Sequence, residues 1–239
     1  MRFHSRTSFL FLGLLALAGC ASTSRQTLDA QAKPHVKRIA LFQVSEPKRY
    51  LAEPEELTAG YLLYAFGALG SALWTGIETL RHSAATDKLH TALSPHQPAL
   101  ADQFETHLKS QLRAKGYQVD LVDTPPKSNT GEGYDLRDLA MQYDAFLSVD
   151  MMAGYVEQNG VSSPHVQVHA TLMASPSSEV LLKSPYVYSV RNIENVPRVH
   201  SNEKFSLQAL DDAANAPQLA LDGLREGARQ VAQLVAEDL

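Results

Sequence analysis

The histidines are the side chains of this sequence that most readily suggest chemistry. Three of them, His82, His90 and His96, fall within one polar stretch, but their spacing matches no known set of metal ligands. His165 and His169 would share one face of a strand, about 13 Å apart, which is too far for the two alone to chelate one ion. We therefore expect polar residues of a sheet surface at these positions, with no metal and no cofactor.

Two pairs of acidic residues are the next candidates, as the general acid and base of a hydrolase. Asp120 and Asp123 border the end of a predicted strand, and Asp211 and Asp212 the start of a predicted helix, where capping explains acidic residues. The sequence has no nucleophile-elbow serine, phosphate-binding glycine loop or His-Glu-x-x-His motif. We expect no catalytic residue and no enzymatic activity. The enzymatic alternative is a hydrolase whose scattered acids or histidines meet in space.

Cys20, the only cysteine, ends a short apolar stretch near the start of the chain. Arg2 and Arg6 precede the apolar residues 9–16, and Leu17-Ala18-Gly19-Cys20 follows them. This layout is typical of a secretory signal rather than a membrane span, and its last four residues resemble the lipobox of bacterial lipoproteins. The resemblance implies that residues 1–19 are a signal peptide cleaved between Gly19 and Cys20. It also implies a diacylglycerol on the thiol of Cys20, usually with a third acyl chain such as palmitate on its amine.

The residues after the cysteine indicate where such a lipoprotein would reside. Ala21 stands where that family carries an aspartate for retention in the inner membrane, so we expect a lipid anchor at the periplasmic face of the outer membrane. Loss of residues 1–19 would change the formal net charge from −5 to −7, which argues against nucleic acid as a partner. Residues 20–35 are small and polar, and we predict a flexible tether there.

An apolar insertion at about residues 54–82 is the most unusual part of the mature sequence. Its residues 57–77 are 21 consecutive uncharged residues, which would span about 31 Å as a helix. Three interpretations stay open: a helix or helical hairpin packed on the domain, which we favour, a surface for self-association or partner binding, and insertion into a membrane. The residues expected on such a surface are Tyr61, Tyr64, Phe66, Gly67, Ser71 and Trp74.

Hydrophobic periodicity predicts one domain of alternating strands and helices over residues 36–239. The predicted strands are 36–44, 117–123, 145–156, 165–173 and 180–190, and the long predicted helices are 99–115 and the segment that begins at Pro217. Short helices are predicted to end near Tyr143 and to lie within 206–214, and residues 47–54 and 80–98 are predicted to be irregular connections. Asn159-Gly160 predicts a hairpin turn, and Pro185 an edge position or a bulge.

These elements define the expected fold class, α/β (α+β). We predict a single mixed sheet of about five strands with helices packed on it, plus an apolar helical insertion after the first strand.

The order of elements and the segments 36–44, 102–123, 144–155 and 166–190 resemble a domain shared by several envelope proteins. These are the curli-secretion lipoprotein, the lipoprotein activator of penicillin-binding proteins, and the N-terminal domain of the Tol-system β-propeller protein. The resemblance implies a non-enzymatic periplasmic module that binds other envelope proteins or copies of itself. It carries no catalytic residue over to this sequence.

The leading hypothesis is therefore an outer-membrane lipoprotein that acts as an adaptor or assembly factor in the cell envelope, with the membrane and envelope proteins as partners. The alternative is an oligomeric secretion or pore component that uses residues 57–77 for self-association or membrane insertion. The alternating hairpin pair that crosses the membrane in the curli pore has no counterpart in this sequence.

Overall fold

A computed structural model describes residues 25–29, 33–53, 84–96, 99–125, 136 and 139–239. These residues form a seven-stranded mixed sheet with the order β3-β1-β4-β5-β6-β7, in which β2 also pairs with β4. The strands are β1 (Arg38–Phe42), β2 (Tyr50–Glu53), β3 (Gln118–Val122), β4 (Ala145–Gln158), β5 (Val161–Ala174), β6 (Val180–Tyr188) and β7 (Arg198–Val199). The helices are α1 (Ala84–Leu93), α2 (Leu100–Ala114) and α3 (Pro217–Asp238). The predicted fold class is confirmed.

A long hairpin forms the centre of the sheet. β4 and β5 are each 14 residues long and stay in register from Ala145↔Ala174 to Gln158↔Val161. Asn159 and Gly160 join them with φ of 53° and 71°, the left-handed pair that a type I′ turn requires. This turn is the one that the sequence predicted.

A parallel layer lies on one side of this hairpin. β1 pairs in parallel with β3 and with the first residues of β4. The crossover from β2 to β3 includes α2, whose Phe104, Leu108 and Leu112 are fully buried. Gly116 follows α2 with φ of 94°, the conformation for which a helix end favours glycine. Helix α2 and strand β3 therefore match the predicted elements closely.

All three described helices pack on the same face of the sheet. That face carries Leu147, Val149, Met151, Ala153 and Tyr155 of β4, which share one core with the buried side chains of the helices. Tyr155 also donates its hydroxyl to Ala220 O of α3 at 3.1 Å. The alternation of β4 and the apolar stripe of the C-terminal helix predicted this packing correctly.

The sequence missed two elements that lie next to each other. Residues 47–54 were expected to be irregular but contain β2, and residues 80–98 were expected to be a solvated connection but contain α1. Thr86 of α1 accepts the backbone N–H of Ala52 of β2 at 3.0 Å, and Leu89 and Leu93 of α1 are buried. Both segments are short, so tertiary contacts rather than local pattern stabilise them.

Smaller predictions had mixed outcomes. Residues 139–142 form turns where a helix ending near Tyr143 was expected, and a 3-10 helix (Leu210–Ala214) lies within the predicted segment 206–214. Pro185 lies on β6 between two residues that make backbone hydrogen bonds. Lys183 donates its N–H to Gln26 O at 2.9 Å, and Val187 donates its N–H to Pro197 O at 3.0 Å. These contacts lie on the side away from β5, so Pro185 occupies a part of the outer edge with which no described strand pairs, as predicted.

The signal peptide, Cys20 and the apolar residues 57–77 lie outside the described residues. Within the described ranges, no helix is long and apolar enough to cross a membrane.

Candidate functional site: the polar face of the sheet

The face of the sheet away from the helices carries a row of polar side chains. His165, Gln167 and His169 alternate with the apolar core residues of β5, so they all lie on this face. Opposite them on β4 are Gly154, Met152 and Asp150, respectively. We call these six residues the polar face.

His165 and Gln167 are buried without satisfying their polar atoms. Their side chains are 3% and 0% exposed, respectively. Both ring nitrogens of His165 and both amide atoms of Gln167 lack a hydrogen-bond partner in the part of the chain that the structure describes. Gln167 lies between Met152 of β4 and Val187 of β6, which offer it none. Each such group costs about 1–3 kcal/mol, so the face is built to receive polar groups that the described residues do not supply.

The histidines of the polar face are neutral at physiological pH. Burial lowers the pKa of His165 to about 4; the neighbouring side chain of Gln167 opposes this shift, and the nearby charge of Arg191 adds to it. Burial likewise lowers the pKa of His169 to about 4, with Lys183 acting in the same direction. A neutral imidazole has one donor and one acceptor, so His165 and Gln167 together present both kinds of group. The expectation that these histidines are sheet-surface residues is wrong, because the ring of His165 is enclosed.

An ion pair closes one end of the polar face. Glu53, the last residue of β2, binds Arg191 of the loop after β6, and Arg191 also donates to Glu157 O at 2.8 Å. Burial raises the pKa of Glu53, whereas the guanidinium of Arg191 opposes this effect. The side chain of Glu53 is only 2% exposed, so its charge depends on the cation of Arg191.

Apolar side chains bound the polar face at both ends. One cluster consists of Ala40, Phe42 and Phe146, and the other of Leu51 and Val156 with Met152 and Val190 packed against them. The arrangement is a polar centre within an apolar frame. The unpaired polar atoms of His165 and Gln167 are enclosed within this frame.

The acidic residues considered from the sequence have structural roles or remain apart. Asp212 accepts the N–H of Ala209 at 3.0 Å at the start of a 3-10 helix, and Asp211 pairs with Lys88 at 3.1 Å. Asp120 is exposed on β3. Among the described residues, no three histidine, cysteine or acidic side chains are grouped as a metal site requires.

The residues named from the sequence as sites all lie outside the described residues. They are Gly19, Cys20, Tyr61, Tyr64, Phe66, Gly67, Ser71 and Trp74. Conversely, sequence reasoning missed Gln167 and the pair of Glu53 with Arg191. The alternation of Ser163, His165, Gln167, His169 and Thr171 was a visible signal, but such a pattern normally indicates exposure to water.

Comparisons with known proteins give only distant similarities. No protein-family model matches this chain, and no curated protein matches it in sequence. A Xanthomonas campestris protein described by the family model DUF330 is similar in structure at 11% identity and a TM-score of 0.33, over 57% of this chain. That match spans 58% of the Xanthomonas protein.

Two further solved structures are similar to this chain. One is a putative neuraminyllactose-binding hemagglutinin homolog from Helicobacter pylori, at 10% identity and a TM-score of 0.42, over 85% of this chain and 83% of that one. The other is the lipoprotein GNA1162 from Neisseria meningitidis, at 14% identity and a TM-score of 0.27, over 66% and 88%. The resemblance to the curli-secretion group stays a prediction.

Proposed function

We propose that this chain is an outer-membrane lipoprotein whose α/β domain acts as a non-enzymatic adaptor or assembly factor at the periplasmic face. The motif that ends at Cys20 supports the lipid anchor, and the polar residues 20–35 support a tether between the lipid and the domain. The partner is an envelope protein or a second copy of this chain.

The observation that carries the adaptor role is the unsatisfied polar face. His165 and Gln167 are buried with four polar atoms unpaired among the described residues, although native proteins pair nearly all such atoms. A catalytic histidine would need to exchange protons near neutral pH, whereas burial lowers the pKa of His165 to about 4. Because these atoms are enclosed, a partner can pair with them only after the side chains that cover them move aside, and we propose such a contact rather than acid–base chemistry.

The anchor is tested with labelled palmitate in cells and with membrane fractionation. We expect the wild-type protein to carry the label and to sediment with the outer membrane. Cys20→Ala should lose both properties, and Ser22→Ala, the matched control next to the site, should keep both. A Cys20→Ala protein that stays with the outer membrane, or a wild-type protein found only with the inner membrane, would overturn this part of the proposal.

The adaptor role is tested with a photo-crosslinking amino acid in place of Thr171, which lies on the same side of β5 as the polar face. The control position is Gln103, which is exposed on α2. We expect a discrete adduct of defined mass from position 171 only, and we expect Gln167→Leu to weaken it. Equal adducts from both positions contradict the role. A large ring found by light scattering in detergent would favour the secretion or pore alternative instead.

A further inference from the structure

The sheet has a gap on one side of β4. β1 pairs with β4 at residues 145–147, and β2 pairs with β4 at residues 153–156. Among the described residues, no strand pairs with residues 148–152 on this side. This unpaired stretch is about 16 Å long at the usual rise of a strand. It is a piece of strand edge in the interior of the sheet.

The connection from β1 to β2 borders this gap without pairing with β4. Val44 donates its backbone N–H to the carboxylate of Glu105 at 2.5 Å, and the carboxylate of Glu46 accepts the N–H of Ala101 at 2.8 Å. Both contacts join residues 43–49 to helix α2, on the helical side of the sheet. The gap is therefore a fixed feature of the fold rather than a place that the loop fills.

A cavity of about 340 Å³ occupies the gap. Residues 148–152 line it from β4, Phe42 and Leu51 come from the ends of β1 and β2, and Lys48 and Thr124 also line it. This volume lies at the small end of the range for ligand pockets in proteins.

The backbones of Val149 and Met151 are directed into the gap. Ser175, which follows β5, donates its N–H to Asp144 O at 2.9 Å, and β4 stays in register with β5 along its whole length. Backbone groups alternate sides along a strand, so Asp150 faces β5, as the C=O of Asp144 does, and the N–H and C=O of Val149 and Met151 face the gap. These two residues offer two donors and two acceptors to an added extended chain.

Two opposite charges in the cavity have no partner of their own. In the described part of the chain, neither the carboxylate of Asp150 nor the ammonium group of Lys48 takes part in a hydrogen bond or an ion pair. Surrounding protein raises the pKa of Asp150, as expected for a carboxylate that lacks a nearby cation. The other two charged residues of the lining are engaged, Glu46 with helix α2 and Arg49 with Asp87.

We infer that this cavity binds a short free peptide of about three residues as an added piece of strand on β4. Its backbone would pair with Val149 and Met151, as peptides do when they extend a sheet, its amino terminus would meet the carboxylate of Asp150, and its carboxylate would meet Lys48. Since β1 and β2 abut the gap at both ends, a longer strand cannot run through it. This site shares Asp150 and Met152 with one end of the polar face but does not depend on the adaptor role.

Trialanine is the probe for this site, with binding followed by amide chemical shifts of the ¹⁵N-labelled domain. We expect saturable shifts confined to residues 43–49 and 148–152. Asp150→Asn should weaken binding by about ten-fold, and so should acetylation of the probe, because each removes one charge-assisted contact. Acetylated trialanine should bind the Asp150→Asn protein no more weakly than trialanine does, because that variant has already lost the contact that acetylation removes.

The carboxylate end has its own test. Amidated trialanine should bind the wild-type protein more weakly than trialanine, and Lys48→Met should remove this difference. Asp123→Asn, which changes an exposed carboxylate outside the cavity, is the matched control and should leave binding unchanged. A dissociation constant of about 10 mM is taken as the weakest worth measuring. Absence of chemical-shift changes at 10 mM probe would therefore overturn the inference. Equal binding by the wild-type and Asp150→Asn proteins would also overturn it.

Discussion

The carboxylate of Glu46 accepts the backbone N–H of Ala101 at 2.8 Å and that of Leu100 at 3.0 Å. It thereby caps the first turn of α2 from a distant part of the chain. Ala99, which precedes the helix, has φ of 51° and offers no side-chain cap. One side chain thus satisfies two free amide groups of α2 and fixes the loop that borders the cavity.

Glu46→Ala should lower the free energy of unfolding by about 1–2 kcal/mol, because two amide groups at the helix start lose their acceptor and the favourable charge is removed. Urea unfolding at pH 7 measures the change. Glu179→Ala, at an exposed acidic position, is the control and should change stability by less than about 0.5 kcal/mol. Equal losses in the two variants would show that Glu46 does not cap α2.

Local pattern was sufficient for the elements that bury a continuous apolar stripe or face. The hairpin of β4 and β5 follows from alternation on both sides of Asn159-Gly160, and α2 from the spacing of Phe104, Leu108 and Leu112. Its cap could not be predicted, because Glu46 lies 55 residues before Ala101 and no local signal links them. The same is true of β2 and α1, which stabilise each other through Ala52 and Thr86.

The polar face shows a different limit of sequence reasoning. Alternation identified which residues share its side, but a row of His165, Gln167 and His169 normally lies in water. Their burial depends on tertiary packing and on the apolar clusters around them, which a single strand does not reveal. The partner of Glu53 was equally hidden, since Arg191 lies 138 residues further along the chain.

We expect the effects of mutating Glu53 and Arg191 on the free energy of unfolding to be coupled, because the two residues form an ion pair. Arg191→Leu should lower the free energy of unfolding by about 2–4 kcal/mol, because it leaves a buried carboxylate without its cation. Adding Glu53→Gln to Arg191→Leu should recover part of this loss, since the unpaired charge is then removed. Urea unfolding of the two single variants and the double variant measures the coupling. Strictly additive losses would mean that the pair is not coupled in solution.

His165 predicts a specific effect of pH on stability. Its pKa is about 4 in the folded chain against about 6.5 when unfolded, so between these values only the unfolded chain takes up the proton. Its contribution to the free energy of unfolding therefore falls as the pH falls, by about 1.4 kcal/mol per pH unit. Burial raises the pKa of Glu53 and of Asp150, and these groups act in the opposite direction, stabilising the fold as the pH falls.

Comparison of variants isolates the histidine from these carboxyl groups. The gain in stability of His165→Leu over the wild-type protein should be about 2 kcal/mol larger at pH 5 than at pH 7, because the proton uptake of the unfolded chain is removed. Urea unfolding at the two pH values measures it. His200→Leu, at an exposed position that is solvated in both states, should show no such difference. A pH-independent effect of His165→Leu would mean that the ring is not buried in solution.

Gly227 lies where α3 comes close to the sheet, with no room for a larger side chain. A Cβ at this position would come within 2.7 Å of Val166 Cγ2 and 2.8 Å of Tyr188 Cδ1, and these are packed side chains of β5 and β6. Alanine favours a helix over glycine by about 1 kcal/mol, yet overpacking a core costs about 1–3 kcal/mol. Gly227→Ala should therefore lower the free energy of unfolding, despite the better helix former. Leu219→Ala, at a partly exposed position of the same helix, tests whether α3 tolerates alanine and should cost less than Gly227→Ala. A more stable Gly227→Ala protein would mean that α3 lies further from β5 than described, and that the core on the helical face is looser.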